Sequence, residues 1–148
     1  VDATAPMLLL RIGRERFACA LGAAEEVLEW PTVHEVPEAH PDMRGVFVYR
    51  GQLVPLHSPA RVLGVTHDGA RGVVLIITDR RGRRIGLALD DVEDVIMVDL
   101  SQMQRPPAPD AAGRVVLGIV RLGEHLVSVV DAAELTAACA GEPAEVAS

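Results

Sequence analysis

The stretch Arg16-Phe17-Ala18-Cys19-Ala20-Leu21 returns later in the chain as Arg84-Ile85-Gly86-Leu87-Ala88-Leu89, and at the same spacing Glu25-Glu26-Val27-Leu28 falls on Glu93-Asp94-Val95-Ile96. The register then slips, and Gly45-Val46-Phe47 meets Gly118-Ile119-Val120, Leu53-Val54 meets Leu126-Val127, Ser58 meets Asp131 and Ala60 meets Ala133. Chance agreement competes with duplication here, because Val, Leu, Ala and Gly are common in this chain. The shared order of hairpin, acidic segment, proline segment, hairpin and helix cap favours duplication. Two small barrels or sandwiches follow. Each would be marginal alone, so the two are expected to share apolar surface and fold together.

Short apolar runs bounded by Gly, Pro or charge surround these repeats, the pattern of a many-stranded β-protein. Val73 to Thr78 and Arg83 to Leu89 read as a hairpin across Asp79-Arg80-Arg81-Gly82. Leu8–Ile12 with Arg16–Leu21, Val46–Tyr49 with Leu53–Leu56, and Val115–Leu122 with Leu126–Val130 read likewise. Ser58-Pro59 signals a short helix over Ala60–Leu63 ended by Gly64, and Asp131 caps a second over Ala132–Ala140. Trp30–Pro41 and Gln102–Asp110 carry prolines once per half and read as loops or linkers. The expected body is 8–140, with halves of about 8–68 and 72–140. Terminal strands are able to cross between lobes, and 1–7 and 141–148 are expected as flexible tails.

Composition limits the function classes. The chain has 148 residues, 49% of them hydrophobic but 3% aromatic, so its core must be aliphatic. A net charge of −7, with all 14 basic residues arginine, argues against a nucleic-acid partner. No apolar stretch approaches bilayer length, so no direct membrane insertion and a cytoplasmic location are expected. Cys19 and Cys139 match no metal-ligand spacing and read as small hydrophobes, with a single long-range disulfide as the alternative.

Candidate catalytic groups fall into a few types. Asp90, Asp91, Glu93 and Asp94 form the densest acidic cluster, which reads either as a solvated edge or as the acid–base groups of a ligand-binding or hydrolytic β-barrel using Asp90, Asp91 or Asp94. The five histidines, at 34, 40, 57, 67 and 125, have no metal-ligand spacing, and adjacent His57 and Ser58 would point to opposite faces of a strand. No nucleophile elbow, phosphate loop or dinucleotide fingerprint is present. No catalytic residue, cofactor or metal is therefore assigned. Arg50-Gly51 interrupts two apolar runs and sets a charged planar fork on a turn, either as a solvated hairpin tip or as a binding residue. Trp30 and Tyr49 read as core residues or interface anchors, with core favoured for Trp30.

Taken in order, several pieces resemble the CheW-like coupling domains of bacterial chemosensory arrays. They are R-F-A-x-x-L from Arg16 to Leu21 with Glu25-Glu26-Val27-Leu28, G-x-x-x-x-R-G-x-x-x-P from Gly45 to Pro55, G-L-x-x-D-x-V from Gly86 to Val92, and Gly118-Ile119 leading into Leu126 to Asp131. The resemblance runs from about Leu8 to Leu135. It implies an all-β chain of two five-stranded SH3-like barrels about a pseudo-twofold axis, with short helices including one at the C-terminus. It also implies a non-enzymatic adaptor joining the regulatory domain of the histidine kinase CheA to the cytoplasmic tips of chemoreceptors. The partner-binding residues it implies are Glu26, Val27, Gly45, Tyr49, Arg50, Gly51 and Val54. Family members commonly read P-x-x-D-L after the R-G turn where this chain has Pro55-Leu56-His57-Ser58, which sets His57 against the acidic position. They also commonly read N-L-R-G where it has Val48-Tyr49-Arg50-Gly51. These departures bear on partner identity, and a divergent paralogue or a coupling domain of a larger protein fits equally well.

Overall fold

The computed structural model describes residues 3–37, 40–68, 71–105 and 114–141. Ten strands form two five-stranded sheets: β1 Thr4–Ile12, β2 Glu15–Ala20, β3 Ala24–Glu29, β4 Met43–Tyr49, β5 Gln52–His57, β6 Val73–Thr78, β7 Arg84–Leu89, β8 Asp91–Asp99, β9 Val116–Leu122 and β10 His125–Val130. Two helices follow the two outer hairpins, α1 Ala60–Leu63 and α2 Ala132–Cys139. The sheets run β8-β1-β2-β10-β9 and β3-β6-β7-β5-β4. Advancing every strand by five positions converts one order into the other, so the duplication seen in sequence is a symmetry of the fold.

Each sheet draws strands from both sequence halves. β8 lies beside β1 across eight residue pairs from Thr4–Asp99 to Arg11–Asp91, while β3 lies beside β6. The short connections explain the exchange. One residue, Asp90, separates β7 from β8, and Leu21–Ala23 separates β2 from β3. A single residue cannot close a hairpin, whose tightest common loop has two. Both flanks of β7 are also already taken, by β6 and β5. The chain must therefore cross to the other sheet. The Asp90 crossing is pinned: its N–H donates to the Arg11 carbonyl at 3.0 Å, and its carboxylate accepts from the Gly13 N–H at 2.5 Å and the Asp68 N–H at 3.1 Å.

Three apolar clusters result. Phe47, Tyr49, Val54, Leu56, Val74, Ile76 and Ala88 fill one lobe, with Trp30 packed against them. Met7, Ala18, Val98, Val120, Val127 and Val129 fill the other. Between them lies a common core in which Leu8, Leu10, Phe17 and Cys19 of one sheet meet Leu75, Ile77, Leu87 and Leu89 of the other. The central hairpins are thus buried on both faces, which is why β6 reads as an unbroken apolar run.

Local signals act much as the sequence implies. The Asp131 carboxylate accepts from the Glu134 N–H at 3.0 Å to cap α2, and Gly64 takes a φ of 72° to end α1. Pro59 rather than Ser58 is the N-cap of α1, though the Ser58 hydroxyl still accepts from the Ala60 N–H at 3.4 Å. One expectation needs correction. Residues 4–7 are not tail but the outer half of β1, with Met7 buried, because β8 supplies them with a pairing partner. The acidic segments after β2 and β7 form edge strands, β3 and β8, in keeping with the reading of the Asp90–Asp94 cluster as a solvated edge. The expected tail at 141–148 lies, beyond Gly141, outside the described residues. Cys19 and Cys139 are both buried free thiols, and desolvation raises them to about 11 and about 12.

Candidate functional site

The β4–β5 hairpin closes through two residues, Arg50 with φ 50° and Gly51 with φ 75°, between the paired Tyr49 and Gln52. Positive φ at both central positions is the type I′ pattern, which favours Asn, Asp or Gly at the first position. Arginine there costs roughly 1 kcal/mol or more in backbone strain. Arg50 is the one described residue other than glycine with positive φ. Its guanidinium lies 5.3 Å from the Tyr49 ring centroid, and that of Arg84 lies 5.4 Å from the same ring.

Tyr49 anchors the turn. Its hydroxyl donates to Glu25 on β3 at 2.7 Å, Glu25 accepts from Arg84 on β7 at 3.1 Å, and Arg84 donates to Gln52 at 3.2 Å. Four strands are thereby tied beneath the arginine. Burial, reinforced by hydrogen bonding to Glu25 and Glu26, pushes the Tyr49 phenol up to about 12. The Tyr49 hydroxyl, and then Arg84, hold the Glu25 carboxyl below the usual carboxylate range. The outer face of the same hairpin is apolar: cross-strand partners Val48 and Leu53 are 61% and 69% exposed. Such a pair beside a stacked arginine has the composition of an interface anchor.

The residues proposed from sequence divide into two groups. Tyr49, Arg50 and Gly51 form the turn, Glu26 is half-buried on β3, and Val27 is exposed on the same edge strand. Val54 points inward and is buried in the lobe core. Gly45 is also buried, with φ 141°. A Cβ there would run into the His34 carbonyl oxygen, because the segment around His34 bridges to Val46 directly above it. Gly118 repeats this beneath Met103 and Gln104 in the other lobe. Sequence reasoning missed Val48, Leu53, Glu25 and Arg84. An apolar residue directly opposite another on an outward face was the available signal for the first two.

The other lobe carries an apolar face of its own, a groove of about 480 Å³ lined by Met97, Ile119, Leu122 and Leu126 among others. The acidic cluster does not converge. Ser58 bonds not His57 but His67, Oγ to Nε2 at 2.7 Å, with Asp90 3.6 Å from the far ring nitrogen. That chain fastens the segment joining the two halves onto the Asp90 crossing. Counting from Pro55 puts Ser58, not His57, at the acidic position, and Ser58 is also the residue aligned with Asp131. His57 is buried, and its Nδ1 has no hydrogen-bond partner among the described residues. No group of three or more His, Cys, Asp or Glu among the described residues is arranged to hold a metal.

Twin SH3-like barrels locked by exchanged strands, with apolar hairpin faces turned outward on each lobe, define a scaffold: a protein whose working parts are docking surfaces. Comparison with known proteins gives the family. The model of the CheW-like domain matches residues 6–139, and the chain belongs to that family. It is similar to the chemotaxis protein CheW of Thermotoga maritima, 23% identical over 125 residues that cover 84% of this chain and 83% of the relative. It is similar also to that of Klebsiella aerogenes, 26% identical over 135 residues covering 86% and 79%. The crystal structure of the scaffolding protein TtCheW from Thermoanaerobacter tengcongensis superposes with a TM-score of 0.78 at 21% identity, covering 88% of this chain and 86% of that one. The chain is a non-enzymatic adaptor of chemotaxis signalling, of the kind that couples chemoreceptors to the histidine kinase CheA.

Proposed function

We propose that the chain works in the cytoplasm, joining the regulatory domain of CheA to the cytoplasmic tip of a chemoreceptor, and that the β4–β5 turn is one of its docking points. The observation that carries this reading is Arg50, held in a left-handed conformation at the tip of an exposed apolar hairpin and stacked on Tyr49. Strain retained at an exposed turn implies a use for the side chain beyond folding. Arg50 with Val48 and Leu53 supplies the anchor, Glu26 and Val27 extend the surface along β3, and Gly45 and Val54 shape it from below. The barrel faces are the natural seat of the kinase domain and the groove between lobes that of the receptor tip. No helix among the described residues is long and apolar enough to cross a membrane.

The test is binding of Arg50→Ala and Arg50→Gly to a kinase regulatory domain and a receptor tip, measured side by side. Glycine relieves the turn strain, so Arg50→Gly should stay within about 1 kcal/mol of the parent in stability. Both variants should lose roughly tenfold in affinity for at least one partner. Parent-like binding to both partners would remove Arg50 from the interface.

A further inference from the structure

The two ends of α2 are held by different means. At its start the Asp131 carboxylate caps the helix, and Glu134 pairs with Arg80 at 3.2 Å. At its end the last turn closes over the end of β5. Cys139 Sγ lies 3.8 Å from the Ser58 carbonyl oxygen, and Gly141 packs on the His40 ring, where a Cβ would meet Cδ2 and Nε2 at 2.7 and 2.8 Å. His40 is fixed in turn by buried Asp42, whose backbone N–H donates to its Nδ1 at 3.2 Å. The Asp42 carbonyl accepts from the Ser58 N–H at 2.7 Å, and its carboxylate takes a fork from Arg61 of α1 at 2.8 and 2.7 Å. The buried ring enclosed by these contacts is His57, which the Cys139 backbone faces.

The surroundings of His57 suit a neutral ring. Its Nδ1 has no partner among the described residues, so a proton there would be a buried donor with nothing to accept it. The neighbouring charges do not make up the loss. Asp42 has both carboxylate oxygens on Arg61, itself a cation, and His40 Nδ1 is already an acceptor. In the cleft that His57 lines, Glu25 is bonded to Tyr49 and Arg84, and Asp79 to Arg83. Burial, and then His40, keep the His57 pKa below its ordinary value in spite of Asp42. The ring can hold a proton once it reaches water, so one of its covers must move. β4 and β7 are held by strand pairing at Met43–His57 and His57–Leu87, whereas the end of α2 rests on the side-chain contacts just described.

We infer that the last turn of α2 is a pH-operated lid over His57: protonation of the ring releases residues 138–141 from the end of β5 while both sheets stay paired. Ala140 and His57 both line the cleft between β5 and β7, so departure of the turn opens the floor of that cleft towards Cys139. The N-terminal part of α2 stays seated through Asp131, Glu134 and buried Leu135. A ring in water titrates near its ordinary value of about 6.5, so opening coupled to one proton should grow roughly tenfold between about pH 7.5 and pH 5.5. The device acts at the opposite end of β5 from the Arg50 turn and does not rest on that turn's role.

The test exposes the full chain to dithiodipyridine, a thiol reagent that stays active in acid. Labelling of Cys139 and Cys19 is followed separately by peptide mass spectrometry, each rate divided by that of the urea-unfolded chain at the same pH. Cys139 should label roughly tenfold faster at about pH 5.5 than at about pH 7.5. Cys19, buried in the core between the sheets, reports loss of the barrels and should stay protected throughout. His57→Leu and His57→Gln should each remove the rise at Cys139, with the unfolding midpoint of each variant measured alongside. The parent chain carries its own reference thiol, so the comparison stands even where a variant folds poorly. A Cys139 rate that ignores pH, a rise shared equally by Cys19, or a rise that survives in both folded His57 variants would overturn the inference. Neither kinase nor receptor enters the assay, so its failure leaves the Arg50 reading untouched.

Discussion

A methyl group added at position 86 tests the duplication inside the core. A Cβ on Gly86 would lie 2.7 and 2.8 Å from the Phe47 ring carbons Cε1 and Cζ, and 2.8 Å from Val74 Cγ1. Phe47 and Val74 are both fully buried, so neither can swing aside. Gly86→Ala should therefore destabilise by overpacking, about 1–3 kcal/mol. The other lobe solves the same problem with different volumes: Ala18 stands at the place of Gly86, and Val120 at that of Phe47. Phe47→Val alone leaves a cavity and should cost about 2–3 kcal/mol, less than truncation to alanine. In the double variant the new methyl occupies room the ring vacated. Its cost should fall short of additivity by about 1–2 kcal/mol, close to that of Phe47→Val alone. Urea unfolding at constant m-value reads this as a shift in midpoint. Costs that add to within about 0.5 kcal/mol would show that the two positions do not share space and that the lobes are not packed equivalently.

Gly45→Ala should cost about 1–3 kcal/mol by urea unfolding, since it meets both an unfavourable φ of 141° and the His34 carbonyl; a loss below about 0.5 kcal/mol would mean that the bridging segment is not seated on β4. His57 sets a pH dependence whose sign is fixed by its surroundings. Burial first, and then nearby His40, hold its pKa below the ordinary 6.5, against opposing contributions from Asp42 and the Cys139 backbone. The unfolded chain therefore takes up the proton first as pH falls. The stability contributed by the neutral ring is complete above the unfolded pKa and is lost on acidification through the folded one. His57→Leu should flatten that part of the stability–pH curve, and an unchanged slope below neutrality would refute the assignment.

Local order was legible because it is written locally. Four hairpins, both helices and the Asp131 cap follow from alternation, turn residues and short-range hydrogen bonding. β3 and β8 were not, because each is an edge strand with charge on its outward face. Glu25, Val27 and Glu29 of β3 are exposed in strict alternation with half-buried neighbours. Charged edges of this kind discourage pairing with other chains, and in sequence the same charges read as a solvated edge without the apolar alternation of a strand. The site shows the same division. Arg50-Gly51 is a turn signal, but the Tyr49–Glu25–Arg84–Gln52 linkage joins residues up to 59 positions apart, and nothing in the local pattern records it. Gly45 and Val54 are conspicuous in the motif for what they pack against rather than for what they present.

The symmetry and its violations bear on how an adaptor can hold unlike partners. Exchanged strands and a common core make the two lobes one body, so neither half can move or fold away from the other without exposing both faces of β1–β2 or β6–β7. The interior is nearly twofold, but the outer hairpins differ. Val48 and Arg50 on one lobe are replaced by Arg121 and Gly123 on the other, while Leu53 and Leu126 remain equivalent at 69% and 66% exposed. Arg121 turns back onto the Gly123 carbonyl at 3.0 Å, whereas Arg50 stacks over Tyr49. Each lobe thus keeps an apolar anchor at the same place and surrounds it with different charge. Specificity is a difference in binding free energies, set as much by what repels the wrong partner as by what attracts the right one. A rigid pair of equivalent anchors in unequal electrostatic frames can therefore fix two different proteins at a constant separation, provided the asymmetry stays at the surface and the shared core stays intact.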